Sequence, residues 1–127
     1  MEKKEIITEL ADAMRKYGEF AIAGRDLKKL LDKDAVSLEV GTGSITFQQL
    51  GLLLVEVGEI LEQDEGKQRY VVVVPTGIMK AMRSLVVVKY NAEFIALAAY
   101  AREGLIKQNG AKQALDTIAN KIQSIKP

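Results

Sequence analysis

The chain has 127 residues, 48% of them hydrophobic, with 18 Lys and Arg against 17 Asp and Glu for a formal net charge of +1. It contains no Cys and no His, which removes disulfides, thiolate nucleophiles and thiolate metal sites, along with the commonest general base, zinc ligand and pH switch. The apolar content suffices for a buried core without such staples, and the expectation is a non-enzymatic protein with no metal and no cofactor.

Residues 2–17 predict an amphipathic helix, because Ile6, Ile7, Leu10, Ala11, Met14 and Tyr17 recur at spacings of three and four. Gly18 ends it, and Phe20 to Ala23 is a short strand candidate. Asp26 caps a second helix over 26–33, with Leu27, Leu30 and Leu31 facing inward. Residues 34–43 read as a loop or short extended piece broken by Gly41 and Gly43. The run Gly41-Thr42-Gly43-Ser44 lacks the full spacing and the Lys of a phosphate loop, so it reads as a turn. Ser44 or Thr46 caps a third helix over roughly 46–57, on which Phe47, Leu50, Leu54 and Val57 form one stripe. Gly58 closes that helix, and two β-prone runs follow, joined by Asp64-Glu65-Gly66-Lys67 and stopped by Pro75.

Beyond Pro75 the pattern favours a helix over 77–85 and leaves 86–90 open, since Val86-Val87-Val88 is β-branched throughout. Asn91-Ala92-Glu93-Phe94 reads as the cap and first turn of an apolar, buried helix running to about 108. Asn109-Gly110 breaks it, and a last helix over 111–125 places Ala111, Leu115, Ile118, Ile122 and Ile125 on one face, making an antiparallel helical hairpin. A competing α/β arrangement sets Val71–Val74 and Val86–Val88 side by side. It ranks lower because the intervening PTGIMKAMRSL is at the short limit for a parallel crossover. The expected fold is therefore mainly α with a small β-hairpin, divided into residues 1–75 and a helical extension, 76–127. Met1 to Glu5 leads straight into the first helix, and the longest apolar runs are far short of a membrane span. A cytoplasmic protein with no membrane partner is expected.

The stretch from Leu50 to Leu61, LGLLLVEVGEIL, followed by Gln68-Arg69-Tyr70-Val71-Val72-Val73, resembles the third helix and wing of the winged helix-turn-helix superfamily. The resemblance covers about residues 5–75. It implies a winged-helix-like N-terminal part that binds double-stranded DNA, with the third helix in the major groove and the wing against phosphate or the minor groove. It makes a small regulatory, replication or segregation accessory, acting as a homodimer, the first functional expectation. Gln48 and Gln49 are then the base-reading candidates. Lys67 and Arg69 on the wing, Arg25, Lys28 and Lys29 around the second helix, and Ser44 and Thr46 before the third complete the nucleic-acid set.

Charge placement pulls the other way. Residues 35–75 carry two basic side chains against six acidic ones, whereas 76–127 carry eight against three. The segment that should meet phosphate is thus locally acidic, and cation–phosphate contacts supply most non-specific DNA affinity. Leu52 and Val55 also fall on the outward face of the third helix, where they need cover from the C-terminal helices or a second subunit. These two residues, with Leu115, Ile118 and Ile122, are the interface candidates. The alternative function is a protein-interaction adaptor that does not bind DNA.

Overall fold

The computed structural model describes residues 1–17, 31, 33–77, 82–101 and 109–125. Among the described residues the helices with defined bounds are α1 (Lys3–Lys16), α2 (Phe47–Val57) and α3 (Gly110–Ile125). The strands are β1 (Val36–Gly41), β2 (Glu59–Asp64), β3 (Arg69–Thr76), β4 (Met82–Tyr90) and β5 (Phe94–Ala101). All five strands form one antiparallel sheet in the order β1-β5-β4-β3-β2. Strands β2 to β5 are a meander, and β1 returns to lie beside β5. The fold is a sheet covered on both faces, not a mainly α protein with a small hairpin.

Alternation along the strands divides the sheet cleanly, because successive side chains point to opposite faces. Tyr70, Val72, Val74, Val86, Val88, Ile95, Leu97 and Ala99 pack beneath α2 and α3. Val71, Val73, Leu85, Val87, Ala96, Ala98 and Tyr100 pack against α1, which contributes Ile6, Ile7, Leu10, Ala11, Ala13 and Met14.

Burial on both faces explains why the second half of the chain departs from its sequence reading. A strand covered on each side needs apolar residues at every position, so β4 and β5 lose the polar alternation that marks a half-exposed strand. The Ala and Leu of β5 are also strong helix formers, but propensity differences among such residues are below about 1 kcal/mol each. Full burial of a Val or Leu side chain contributes about 2 kcal/mol, so packing between two layers decides. The helix expected over 77–85 is therefore replaced, from Met82 onward, by β4, which also settles 86–90 as strand. The helix expected over 91–108 is replaced over 91–101 by a turn and β5, so these residues do not form the expected helical hairpin with α3; residues 102–108 lie outside the described set.

Asn91 marks that turn. Its Oδ1 accepts from the backbone N–H groups of Glu93 and Phe94, each at 2.8 Å, and its own N–H bonds the Phe94 carbonyl at 3.1 Å. The side-chain bonding that would cap a helix here closes a β4–β5 turn instead. The neighbouring placement of Val71–Val74 and Val86–Val88 is real, with Val71 opposite Val87 and Val72 opposite Val86. The pairing is antiparallel, so no long crossover is needed. The division at residue 75 falls inside β3, and the two proposed parts share one sheet. The strand candidate at 20–23 and most of the helix expected at 26–33 lie outside the described residues.

The α1 helix and the hairpin of β2 and β3 form near the bounds read from sequence. Strand β2 carries a bulge: Ile60 faces Val72 across the ladder but Glu62 faces Val71, leaving Leu61 as the extra residue. The shift turns Glu62 onto the α1 face, which an unbroken register would not do.

Candidate functional site

Strands β1 and β2 lie at opposite ends of the described strand order, so the chain between them must cross the sheet. Its crossing is pinned strand by strand. Thr42 Oγ1 donates to the Asn91 carbonyl at 2.7 Å, and the Thr42 N–H donates to Glu93 at the β4–β5 turn. The Tyr90 hydroxyl on β4 then donates to the Ile45 carbonyl at 2.6 Å, and the Tyr70 hydroxyl on β3 to that of Phe47, also at 2.6 Å. Phe47 stacks on Tyr70 with centroids 4.4 Å apart and meets Tyr90 edge-on at 5.9 Å. Burial pushes the Tyr70 phenol above its ordinary range, with the charge of Glu65 in support and the Gly51 backbone opposing.

The α2 helix starts at a complete capping box. Thr46 Oγ1 accepts from the Gln49 N–H at 3.1 Å, and Gln49 Oε1 accepts from the Thr46 N–H at 2.9 Å. Phe47, Leu50, Leu53 and Leu54 are its buried side chains. Gly51 lets the helix lie close on β3, because a Cβ there would collide with the Tyr70 hydroxyl. Gly58 does the same at the exit, where a Cβ would strike the Val73 carbonyl.

What remains outward on α2 is Gln48, Gln49, Leu52, Val55 and Glu56, with no cation among them. Leu52 is 72% exposed and Val55 63%. Ile125, at the end of α3, is 51% exposed. Leu52, Leu53 and Ile125 line an open groove of about 320 Å³ between α2 and α3, rimmed by Gln49, Glu56, Lys121 and Ser124. Lys121 Nζ meets Glu56 Oε2 at 2.9 Å across that rim.

The residues assigned to nucleic acid, where described, have the following places. Thr46 and Gln49 are engaged in the cap. Gln48 Nε2 donates to Glu65 Oε1 at 2.7 Å, tying α2 to the β2–β3 turn. Ser44 and Lys67 are exposed on separate turns, and the Lys67 carbonyl takes a bond from Lys89 Nζ at 2.6 Å. Arg69 is 3% exposed and faces inward, where Glu62, Glu9 and Asp12 surround its guanidinium, so it cannot reach a phosphate. Arg25, Lys28 and Lys29 lie outside the described residues. Of the interface candidates, Leu52 and Val55 are on the surface, but Leu115, Ile118 and Ile122 are core residues of α3 facing the sheet. The hairpin that α3 was expected to form with a preceding helix would have left a face for a partner; β4 and β5 occupy that place.

Sequence reasoning missed Ile125 as a surface residue, since its spacing matches the core stripe. It also missed the charged cluster beneath α1. Burial tends to raise the Glu62 carboxyl, but hydrogen bonds and charge from Lys16 and Arg69 outweigh it and hold the group below its ordinary value. The Arg69 guanidinium is held above its ordinary value: desolvation opposes, and Glu62 and Glu9 prevail. Every buried side-chain polar atom among the described residues has a hydrogen-bond partner. No group of three or more acidic side chains among those residues is placed to hold a metal ion. No helix among them is long and apolar enough to cross a membrane.

Comparison with known proteins yields no matching family model and no significantly similar curated protein. The resemblance to the winged-helix superfamily gains nothing from it, and function has to be argued from the surface itself.

Proposed function

We propose that this chain is a non-catalytic protein-association module that docks through the outer face of α2. The carrying observation is the exposure of Leu52 and Val55, which sit one helical turn apart on a helix whose remaining large apolar side chains are buried or partly buried. A Leu and a Val left this open cost hydration free energy that burial against a partner recovers, about 2 kcal/mol for each side chain fully covered. The capping box, Gly51 and the Tyr70 and Tyr90 hydroxyls hold α2 at a fixed height on the sheet, so the face is presented as a rigid surface. The absence of any cation on α2 favours an uncharged, apolar partner surface over a phosphate backbone.

The test is the size of the native assembly. In extract of the cells that make it, the chain should elute above its own 14.0 kDa, and Leu52→Glu should return it to the single-chain position. Elution as a single chain for both proteins would defeat the association reading. Binding to labelled duplex DNA at about 50 mM salt, weakened at higher salt, would replace it with the DNA reading.

A further inference from the structure

We infer that the outer edge of β1 pairs with β1 of a second copy, antiparallel across a two-fold axis at Leu38, so that the two sheets run on as one. This surface is separate from the α2 face, and the inference does not rest on it. Strand β1 ends the described strand order, and main-chain parity fixes which groups it turns outward. In an antiparallel ladder, alternate residues direct both N–H and C=O to the same side. The Thr42 N–H bonds the Glu93 carbonyl at 3.1 Å, continuing the register in which Gly41 faces Phe94. Val40, Leu38 and Val36 therefore bond β5. Ser37, Glu39 and Gly41 turn their main-chain groups to the edge, where no described residue bonds them.

The two edges of the sheet differ in a way that bears on pairing. Strand β2 is broken by its bulge and carries Glu59, Glu62 and Asp64, devices that keep an edge from accepting another strand. Strand β1 pairs with β5 without a break and has Glu39 as its single charge. The core also thins out here: Val36 and Leu38 are only partly buried, whereas Val86, Val88, Leu97 and Ala99 on the same face are fully buried. The outward parity allows few self-pairings, and the side chains choose among them. An axis at Glu39 sets two carboxylates directly opposite, which destabilises the pair. An axis at Val40 sets Glu39 against Gly41 and runs the pairing into Thr42, whose N–H is already bonded. An axis at Leu38 gives about four main-chain hydrogen bonds, sets Leu38 against its own copy and Val36 against Val40. It also places Ser37 opposite Glu39. One Glu39 oxygen is held by the Met1 amine at 2.9 Å, and the other is left to accept from the Ser37 hydroxyl. A two-fold perpendicular to the sheet keeps both α1 helices on one side and both α2–α3 layers on the other, the self-complementary arrangement that an isologous contact requires. A contact along one short edge buries on the order of 1,000 Å² or less, the size of weak interfaces. It forms in concentrated protein and leaves elution from dilute extract to the α2 face.

The test uses the full chain carrying Leu52→Glu, which removes the α2 face from the result. By light scattering it should rise from 14.0 kDa toward twice that mass between about 1 and 500 µM. Glu39→Pro removes an edge N–H that the single chain does not use, and should hold the single-chain mass throughout with a cooperative melt. Should that variant fail to fold, Leu38→Lys sets like charges face to face at the axis and should have the same effect. The chain has no native Cys, so register can be read by disulfide capture. Leu38→Cys in a glutathione buffer should form the linked dimer several-fold more than Glu39→Cys, because residues facing each other at the axis lie within disulfide reach. A single-chain mass at the highest concentration would overturn the inference and leave association through α2 untouched. A dimer that survives both edge variants would overturn it as well, and dominant capture by Glu39→Cys would overturn the Leu38 axis.

Discussion

Arg69 grips one oxygen of Glu62 with two nitrogens, Nε at 2.7 Å and Nη2 at 2.6 Å. The other Glu62 oxygen accepts from Lys16 Nζ at 2.7 Å and the Tyr17 hydroxyl at 3.2 Å. The pair therefore joins α1 to the β2–β3 hairpin, and it exists because the bulge at Leu61 delivers Glu62 to the α1 face. Glu62 is 9% and Arg69 3% exposed in their side chains, so the pair is largely shielded from water.

Arg69→Met should destabilise the protein by about 3 kcal/mol, because it leaves Glu62 in a shielded site with only Lys16 as a countercharge. The double variant Arg69→Met, Glu62→Leu should recover much of that loss, since a buried pair replaced by apolar groups costs little. Urea unfolding of the two variants measures both; a single-variant loss below about 0.5 kcal/mol would show the contact to be incidental.

Acid should weaken the fold through the same carboxylate. Its pKa is lower in the folded protein than the ordinary 4.5, so the unfolded chain takes up the proton first. The stabilisation is fully present above that ordinary value and is lost as pH falls below it, through the lower folded value. Glu62→Gln should therefore be less stable than the parent at neutral pH and show a shallower fall in stability on acidification. An unchanged acid limb in thermal melts would assign the effect to other carboxylates.

Gly51→Ala has opposite expected signs on two physical grounds. In an open helix interior, Ala would stabilise by about 1 kcal/mol. Here its Cβ meets the Tyr70 ring and hydroxyl, and the expected result is a loss of about 2 kcal/mol from overpacking. Combining it with Tyr70→Phe should cost less than the two changes summed, because the colliding oxygen is gone. Denaturant midpoints of the four proteins give the coupling; simple additivity would mean the helix shifts freely.

Leu52→Ala and Leu54→Ala separate surface from core on a single helix. Leu54 is fully buried, and truncation there should cost about 2–5 kcal/mol. Leu52 should change the stability of the isolated protomer by less than about 0.5 kcal/mol, measured at a concentration low enough to prevent association.

The sequence alone was enough for the local elements whose signals are carried within a few residues. The amphipathic stripe of α1, a cap at Ser44 or Thr46, the helix ending at Gly58, the charged turn between β2 and β3, and the final helix all follow from periodicity and turn chemistry, and the structure selects Thr46 as the cap. It also singled out Leu52 and Val55 as outward residues, because the stripe of Phe47, Leu50 and Leu54 leaves them on the other side. It could not separate a helix from a strand over β4 and β5, where burial on both faces removes the period that distinguishes them. Nor could it assign roles that depend on register. One extra residue in β2 decides that Glu62 meets Arg69 rather than solvent, which turns a candidate phosphate contact into an internal brace. Whether α2 belongs to a helix-turn-helix or crosses a five-stranded sheet was likewise left to tertiary structure, because the same local pattern serves both and only long-range strand pairing tells them apart.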